Sequence, residues 1–390
     1  MENVKPELDK GVFWPAISLV VILVALTIIF PDGATSVTNK MIHAITFNLD
    51  WLIQLGGFAI LIFLLWLAFG RFGKVKLGEP DEKPEFSTFS FAAMAFCTGI
   101  GAGLVYWSIA EPINYLQTPP FGLASGSIES TLWPVTYTMF HWGITPWALF
   151  VVPAVPIAYQ FYIRKKTKLR LSLACEGLLG KHVDGWVGGL IDILGIIGVI
   201  GGVGCALGIY VPMMSAAIAD FFGIADTLML KVVIIAIWTA IFGTSVYRGL
   251  HKGIQVLSRI NVYAAFVFIA IVLFAGPTSF ILSNSGDSLG VMLQNYLRMS
   301  FYTDAVTQSG FPQGWPVFYW CWWLAYLAMM GLFIARTARG RTIKEVVLIE
   351  MLCGTLGCWL FICVLGSYTV HLEVNNIVAV SAILTENGII

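Results

Sequence analysis

Charge is what this sequence has least of. Only 11% of its 390 residues are Asp, Glu, Lys or Arg, while 58% are hydrophobic. A soluble globular domain carries about 25% charged and about 45–50% apolar residues. Twenty-two acidic residues balance 22 basic ones, so there is no basic excess and no nucleic-acid partner is implied. The seven cysteines (Cys97, Cys175, Cys205, Cys321, Cys353, Cys358 and Cys363) contain no C-x-x-C pair, and the five histidines lie far apart. They read as buried thiols behaving as small hydrophobes, with no metal site and no cofactor. A cleavable leader is also missing. The first apolar run is too long for a signal-peptide core and ends without a small-residue cleavage site.

What remains is hydrophobic runs separated by short charged clusters, the pattern of an all-α integral membrane protein in a lipid bilayer. A spanning helix needs about 20 mainly apolar residues. Nine segments qualify: Val12–Phe30, Trp51–Gly70, Phe89–Leu116, Leu132–Tyr162, Trp186–Ala219, Thr227–Tyr247, Ile260–Ser283, Gln313–Ala335 and Val346–Val370. Those longer than about 25 residues imply tilt, kinks or breaks. Of the 22 Lys and Arg residues, 19 fall in alternate loops or at Lys5 and Lys10; only Lys40, Lys231 and Arg298 fall on the other side. The positive-inside rule then places the N-terminus in the cytoplasm of a multi-pass protein of the cell membrane. The segment His371–Ile390, with Asn375, Asn376, Glu386 and Asn387, is too polar and short to span and lies outside. Between spans seven and eight, Leu289, Met292, Tyr296 and Met299 recur every three or four residues, which predicts an outer amphipathic helix over Gly286–Asp304.

Three spans carry residues suited to chemistry. The third holds Gly99, Gly101 and Gly103, followed by Glu111-Pro112. Such a run either unwinds the helix beside a ligand or packs it tightly on a neighbour. In the fourth, Trp142 and Trp147 lie about 140° apart on a straight helix, and Pro146 is expected to bend that geometry. They are either pocket walls or interface tryptophans. In the eighth, Trp315, Tyr319, Trp322 and Tyr326 form one helical stripe that Met329 and Met330 extend, with no charge from Ala305 to Ala335. An aromatic stripe is ordinarily core. It is also what holds a tetraalkylammonium, which has no N–H to donate, at about 0.5–2 kcal/mol per face. Among acids within spans, Asp192 and Glu350 lie within two turns of cytoplasmic ends, where water or Lys/Arg can satisfy them. Glu111 alone reads as a gate or site residue.

Taken together these blocks resemble the betaine/choline/carnitine transporter family. The resemblance rests on Pro84–Thr88 through Thr118–Gly122, Phe140–Trp147 and Phe311–Arg341, the last reading F-P-Q-G-W-P-V-F-Y-W-C-W-W with I-A-R-T-A-R-G-R-T behind it. It is most similar to the carnitine/γ-butyrobetaine antiporter branch. The resemblance implies a leucine-transporter-like fold of two inverted five-helix repeats behind two extra N-terminal helices, twelve spans in all and a homotrimer. On that plan residues 1–88 hold the extra helices and linker, 89–285 the first repeat and 286–304 the outer helix. Residues 305–390 begin the second repeat and stop after nine spans. The chain by itself is therefore expected not to sustain sodium-driven accumulation. The family's aromatic box falls on Trp142, Trp147 and Trp322, with Trp323 adjacent, and an outer vestibule site on Trp315 and Tyr326. Asn114 stands where that branch has a box tyrosine. Met330 matches the methionine that replaces sodium there, whereas Asn261 stands where the branch has an arginine, and the glycine run resembles sodium-coupled carriers. Na+ coupling and exchange both stay open.

The leading expectation is a transporter of small quaternary-ammonium substrates (betaine, carnitine, choline or a related methylated amine) working by alternating access. The alternative is a non-transporting binding protein or inactive remnant. An intramembrane enzyme would need paired catalytic groups within spans, and no such pair is present.

Overall fold

The structure is a computed structural model describing residues 8–99 and 101–386; for residues 98, 99 and 102 only the course of the backbone is described. Lys5, Ile100 and Asn387 lie outside the described residues. The elements in order are α1 (Lys10–Ile29), α2 (Pro31–Asn48), α3 (Asp50–Phe69), α4 (Thr88–Gly99), α5 (Ala102–Gln117), α6 (Pro134–His141), α7 (Ile144–Ala158) and the short α8 (Glu176–Leu179). There follow α9 (Trp186–Phe222), α10 (Leu228–Tyr247), α11 (Gln255–Ala275), α12 (Thr278–Phe301), α13 (Phe318–Ala325), α14 (Leu327–Thr337), α15 (Ile343–Phe361), α16 (Ser367–Val374) and α17 (Val380–Glu386). The described residues contain no strand, only an isolated bridge between Lys76 and Thr342.

Among the described residues, seven helical stretches are long and apolar enough to cross a membrane, and an eighth if α13 and α14, bent by 54°, count as one. The third expected span, Phe89–Leu116, is split. Its two pieces, α4 and α5, have 12 and 16 residues, each short of a span. The seventh expected span shifts N-terminally. It runs through a π turn at Leu250–Ile254 into α11 and stops at Gly276, and Pro277 caps α12. Phe280 and Ile281 prolong the apolar run past that turn, which is why hydropathy misplaced the end. The expected outer helix exists but starts at Thr278, with Ser288, Met292 and Met299 buried along one face. Residues 31–48, read as a connection, form α2 with Pro31 in its first turn.

Burial ranks the helices from centre to rim. In the stretch Glu129–Ile163 67% of the apolar window is buried, against 6% for α1 and for α9. The rim helices expose Leu, Ile, Val and Phe side chains all along their outer faces, as lipid-facing helices do. With 37 residues, α9 is roughly 55 Å long, so it must tilt to fit a hydrocarbon layer of about 30 Å.

On the face carrying the basic loops, the segment after α3 is laced to the α14–α15 turn. Leu77 N–H donates to Arg341 O (2.7 Å), Gly340 N–H to Leu77 O (2.8 Å) and Ile343 N–H to Val75 O (2.9 Å). Glu85 joins this tie to two other elements, lying 2.9 Å from Arg336 of α14 and 3.1 Å from His251 before α11. Partial burial acts to raise the Glu85 carboxyl, but the hydrogen bonds and charges of Arg336 and His251 outweigh it and hold the group below its ordinary 4.5. A lowered acid contributes stability above its unfolded value and loses it as pH falls through the folded value. Protection of the Leu77 and Ile343 amides, taken relative to their intrinsic exchange rates, is therefore expected to be full above pH 4.5 and to fall on further acidification, with R336Q moving that loss to higher pH. Identical exchange in R336Q and the parent chain would contradict the tie.

Candidate functional site

Three helix interruptions meet at one place. The first lies between α4 and α5, where Gly101 caps α5 with φ −126° and ψ −135°. The second separates α6 from α7 at Trp142 and Gly143, where a β-carbon on Gly143 would fall 2.7 Å from Met139 O. Pro146 does not make this bend. It sits in the first turn of α7, where its missing N–H costs nothing. The third separates α13 from α14 at Tyr326. Its cause lies on α9: Gly198 lets the Ala325 carbonyl come to 2.8 Å of where a β-carbon would be, and Gly202 accepts the Tyr326 hydroxyl at 2.5 Å.

Gly101, Trp142 and Tyr326 all line a single cavity of about 540 Å³, closed further by Gly103, Trp322, Trp323, Tyr210 and Trp238. Among the described residues that line it, none is charged. Trp142 stands edge-on to Trp323 and Trp322, with ring centroids 5.0 and 6.3 Å away, and Trp322 lies 6.4 Å from Tyr326. The stripe expected in the eighth span is a continuous ladder: Trp315 to Tyr319 (6.4 Å), Tyr319 to Trp322 (5.6 Å), Trp322 to Tyr326. Trp107 of α5 touches three of its rungs.

Behind the cavity wall sits Glu111, fully buried. Its Oε1 accepts from Trp142 Nε1 at 2.6 Å and from the Tyr319 hydroxyl. Its Oε2 accepts from the Tyr115 hydroxyl at 2.8 Å and lies 3.2 Å from His141 Nδ1. Tyr115 Oη is also 2.9 Å from that Nδ1. With the tyrosine proton given to the carboxylate, the tautomer that fits carries its hydrogen on Nδ1. His141 Nε2 is buried with no partner. Four donors thus surround a carboxylate, and its one ion-pair partner among the described residues is a histidine.

The expected site residues divide. Trp142, Trp322, Trp323 and Tyr326 come together at the cavity, with Gly101 and Gly103; Gly99 ends α4 beside it. Tyr326, expected in an outer vestibule with Trp315, is separated from it, because Trp315 stays at the far end of the ladder against Tyr115 and Trp107. Trp147 turns away. Beyond the Gly143 break it packs on Phe96 and Phe150 and over Gly354 of α15. Asn114 is spent on its own helix, donating to Ala110 O at 2.9 Å. Met330 is fully buried and does not line the cavity, whereas Met329 does. Asn261 is exposed on α11. Neither of the other two acids lines the cavity. Asp192 accepts from Ser172 N–H and Oγ at 2.8 and 2.9 Å. Glu350 is only 1% exposed and lies within reach of the charge of Arg341, as the sequence allowed. Trp107, Tyr115, His141, Tyr210 and Trp238 were missed as site residues. Trp107, Glu111 and Tyr115 recur every four residues on α5, a signal the sequence did carry.

The fold and the cavity together define a multi-pass, all-α membrane protein with an uncharged, aromatic-walled site at the meeting of broken helices. The family model for betaine/carnitine/choline transporters (BCCT) matches residues 11–389, and the chain belongs to that family. Its class is accordingly secondary transport of quaternary-ammonium solutes across a lipid bilayer.

Proposed function

We propose that the cavity walled by Trp142, Trp322, Trp323 and Tyr326 is where the chain holds the methylated ammonium group of its substrate. The observation that carries this is the lining itself: a volume of about 540 Å³ with indole and phenol faces and no charged side chain among the described residues. A quaternary ammonium cannot donate a hydrogen bond, so π-faces are the groups that replace its water. A carboxylate on the same ligand would be favoured beside the N-terminus of α5, where Gly101 and Gly103 line the cavity. Because the walls come from five broken-helix segments (α4, α5, the end of α6, α13 and α14) and from α9 and α10, rocking one group against the other opens the cavity to alternate sides. Sodium or a second substrate can drive that cycle. The face with the basic loops is the cytoplasmic one, following the positive-inside rule, in the cell membrane.

Affinity should track methylation. Each N-methyl removed from glycine betaine adds an N–H that these walls cannot accept, at a cost of about 1–3 kcal/mol. Competition against a labelled betaine by trimethyl-, dimethyl-, monomethyl- and unmethylated glycine should weaken stepwise, and equal competition by glycine and glycine betaine would sink the proposal. Uptake into sealed vesicles separates a transporter from a protein that only binds.

A further inference from the structure

The Glu111 cluster is larger than a structural cap requires. Four donors from three helices converge on one carboxylate: Tyr115 of α5, His141 of α6, Trp142 at its end, and Tyr319 of α13. Among the described residues, no Lys or Arg pairs with this carboxyl group. Two further titratable groups face the cluster among the described residues: Tyr137 of α6, 5.4 Å from the His141 ring, and Tyr210 of α9, on the Tyr319 side. Arg298 of α12 lies on the far side of Tyr137, over the Phe121 ring at 3.9 Å. The one unmet polar atom of the cluster is His141 Nε2, a buried lone pair. The carboxylate reaches the cavity through a single residue: Trp142 gives its N–H to Glu111 and its ring to the cavity wall.

We propose that Glu111 and His141 form a proton-binding site behind the wall, and that a proton bound there competes with a cation in the cavity. This rests on the substrate reading above. With the pair at net charge −1, Glu111 attracts a cation lying against Trp142 and makes the indole a better acceptor of it. A proton taken up at Nε2 turns the pair into imidazolium and carboxylate, net zero, and removes that attraction. By linkage, a cation entering the cavity expels the proton. The site thereby discriminates by net charge, favouring a ligand that is cationic overall over a zwitterion of the same headgroup.

The test compares choline, net cationic, with glycine betaine, net neutral, on the purified full chain from about pH 8 down to the lowest pH at which the chain stays folded. Choline affinity is expected to fall about tenfold, or about 1.4 kcal/mol, as pH drops, with a smaller change for betaine. Choline binding should release protons into lightly buffered solution. E111Q should hold choline at the weak, low-pH level throughout, and H141Q should flatten the profile. A choline affinity that is constant with pH and releases no protons would overturn the proposal without needing any variant, as would a pH dependence that survives in both. Failure of both ligands to bind at any pH would instead defeat the substrate reading. In that event the tryptophan fluorescence of the ligand-free chain decides the proton site: a titration lost in H141Q supports it, and no titration overturns it.

Discussion

Replacing Trp322 with alanine is expected to weaken binding of a quaternary ammonium cation by at least about tenfold, or about 1.4 kcal/mol. Trp322 is the rung at which the aromatic ladder becomes cavity wall. It contacts Trp142, Trp323, Tyr319 and Tyr326 and lines the cavity with three of them. One desolvated π-face is worth about as much as that loss. W322F keeps a ring and should recover part of the affinity. Calorimetry on the folded variant decides: unchanged affinity would return Trp322 to packing.

Trp147 should behave in the opposite way. It is 1% exposed, and the indole fills the bay over Gly354, where an added β-carbon would lie 2.2 Å from ring atoms. W147A is expected to cost about 3–5 kcal/mol of stability, the usual range for emptying a buried tryptophan site. G354A, which overfills the same bay, should cost about 1–3 kcal/mol. The two effects are not additive, since the smaller side chain at position 147 makes room for the methyl at 354. Thermal unfolding in detergent reads this directly. A W147A variant with parental stability but lost ligand affinity would place Trp147 back in the cage.

These two tryptophans show where the sequence was legible and where it was not. Long apolar runs announced the spans, and the alternation of basic loops kept their order. The spacing of Trp315, Tyr319, Trp322 and Tyr326 announced the ladder, because neighbours on a helix follow from periodicity alone. The glycine run announced the break at Gly101. The break at Tyr326 left no local trace: there is no glycine or proline between Ala325 and Leu327, and the bend is imposed by the notch that Gly198 and Gly202 cut in α9. The bend expected from Pro146 lies at Gly143 instead. Spacing alone leaves Trp142 and Trp147 as either pocket walls or interface tryptophans; only the family resemblance puts both in one box, and the break sends them apart. Glu111 was visible as a costly intramembrane acid. Its donors were not, apart from Tyr115 one turn on, since His141, Trp142 and Tyr319 reach it from other helices and only the folded chain brings them there.

The central claim is that aromatic faces hold a positive charge, and one comparison isolates it. Choline and its uncharged isostere, in which carbon replaces the quaternary nitrogen, have the same shape and nearly the same apolar area. Binding of both to the purified chain should differ by about tenfold or more in favour of choline, because only the cation is attracted by the ring faces of Trp142, Trp322 and Trp323. Equal affinities would mean the cavity recognises shape and greasiness alone, and would contradict the account.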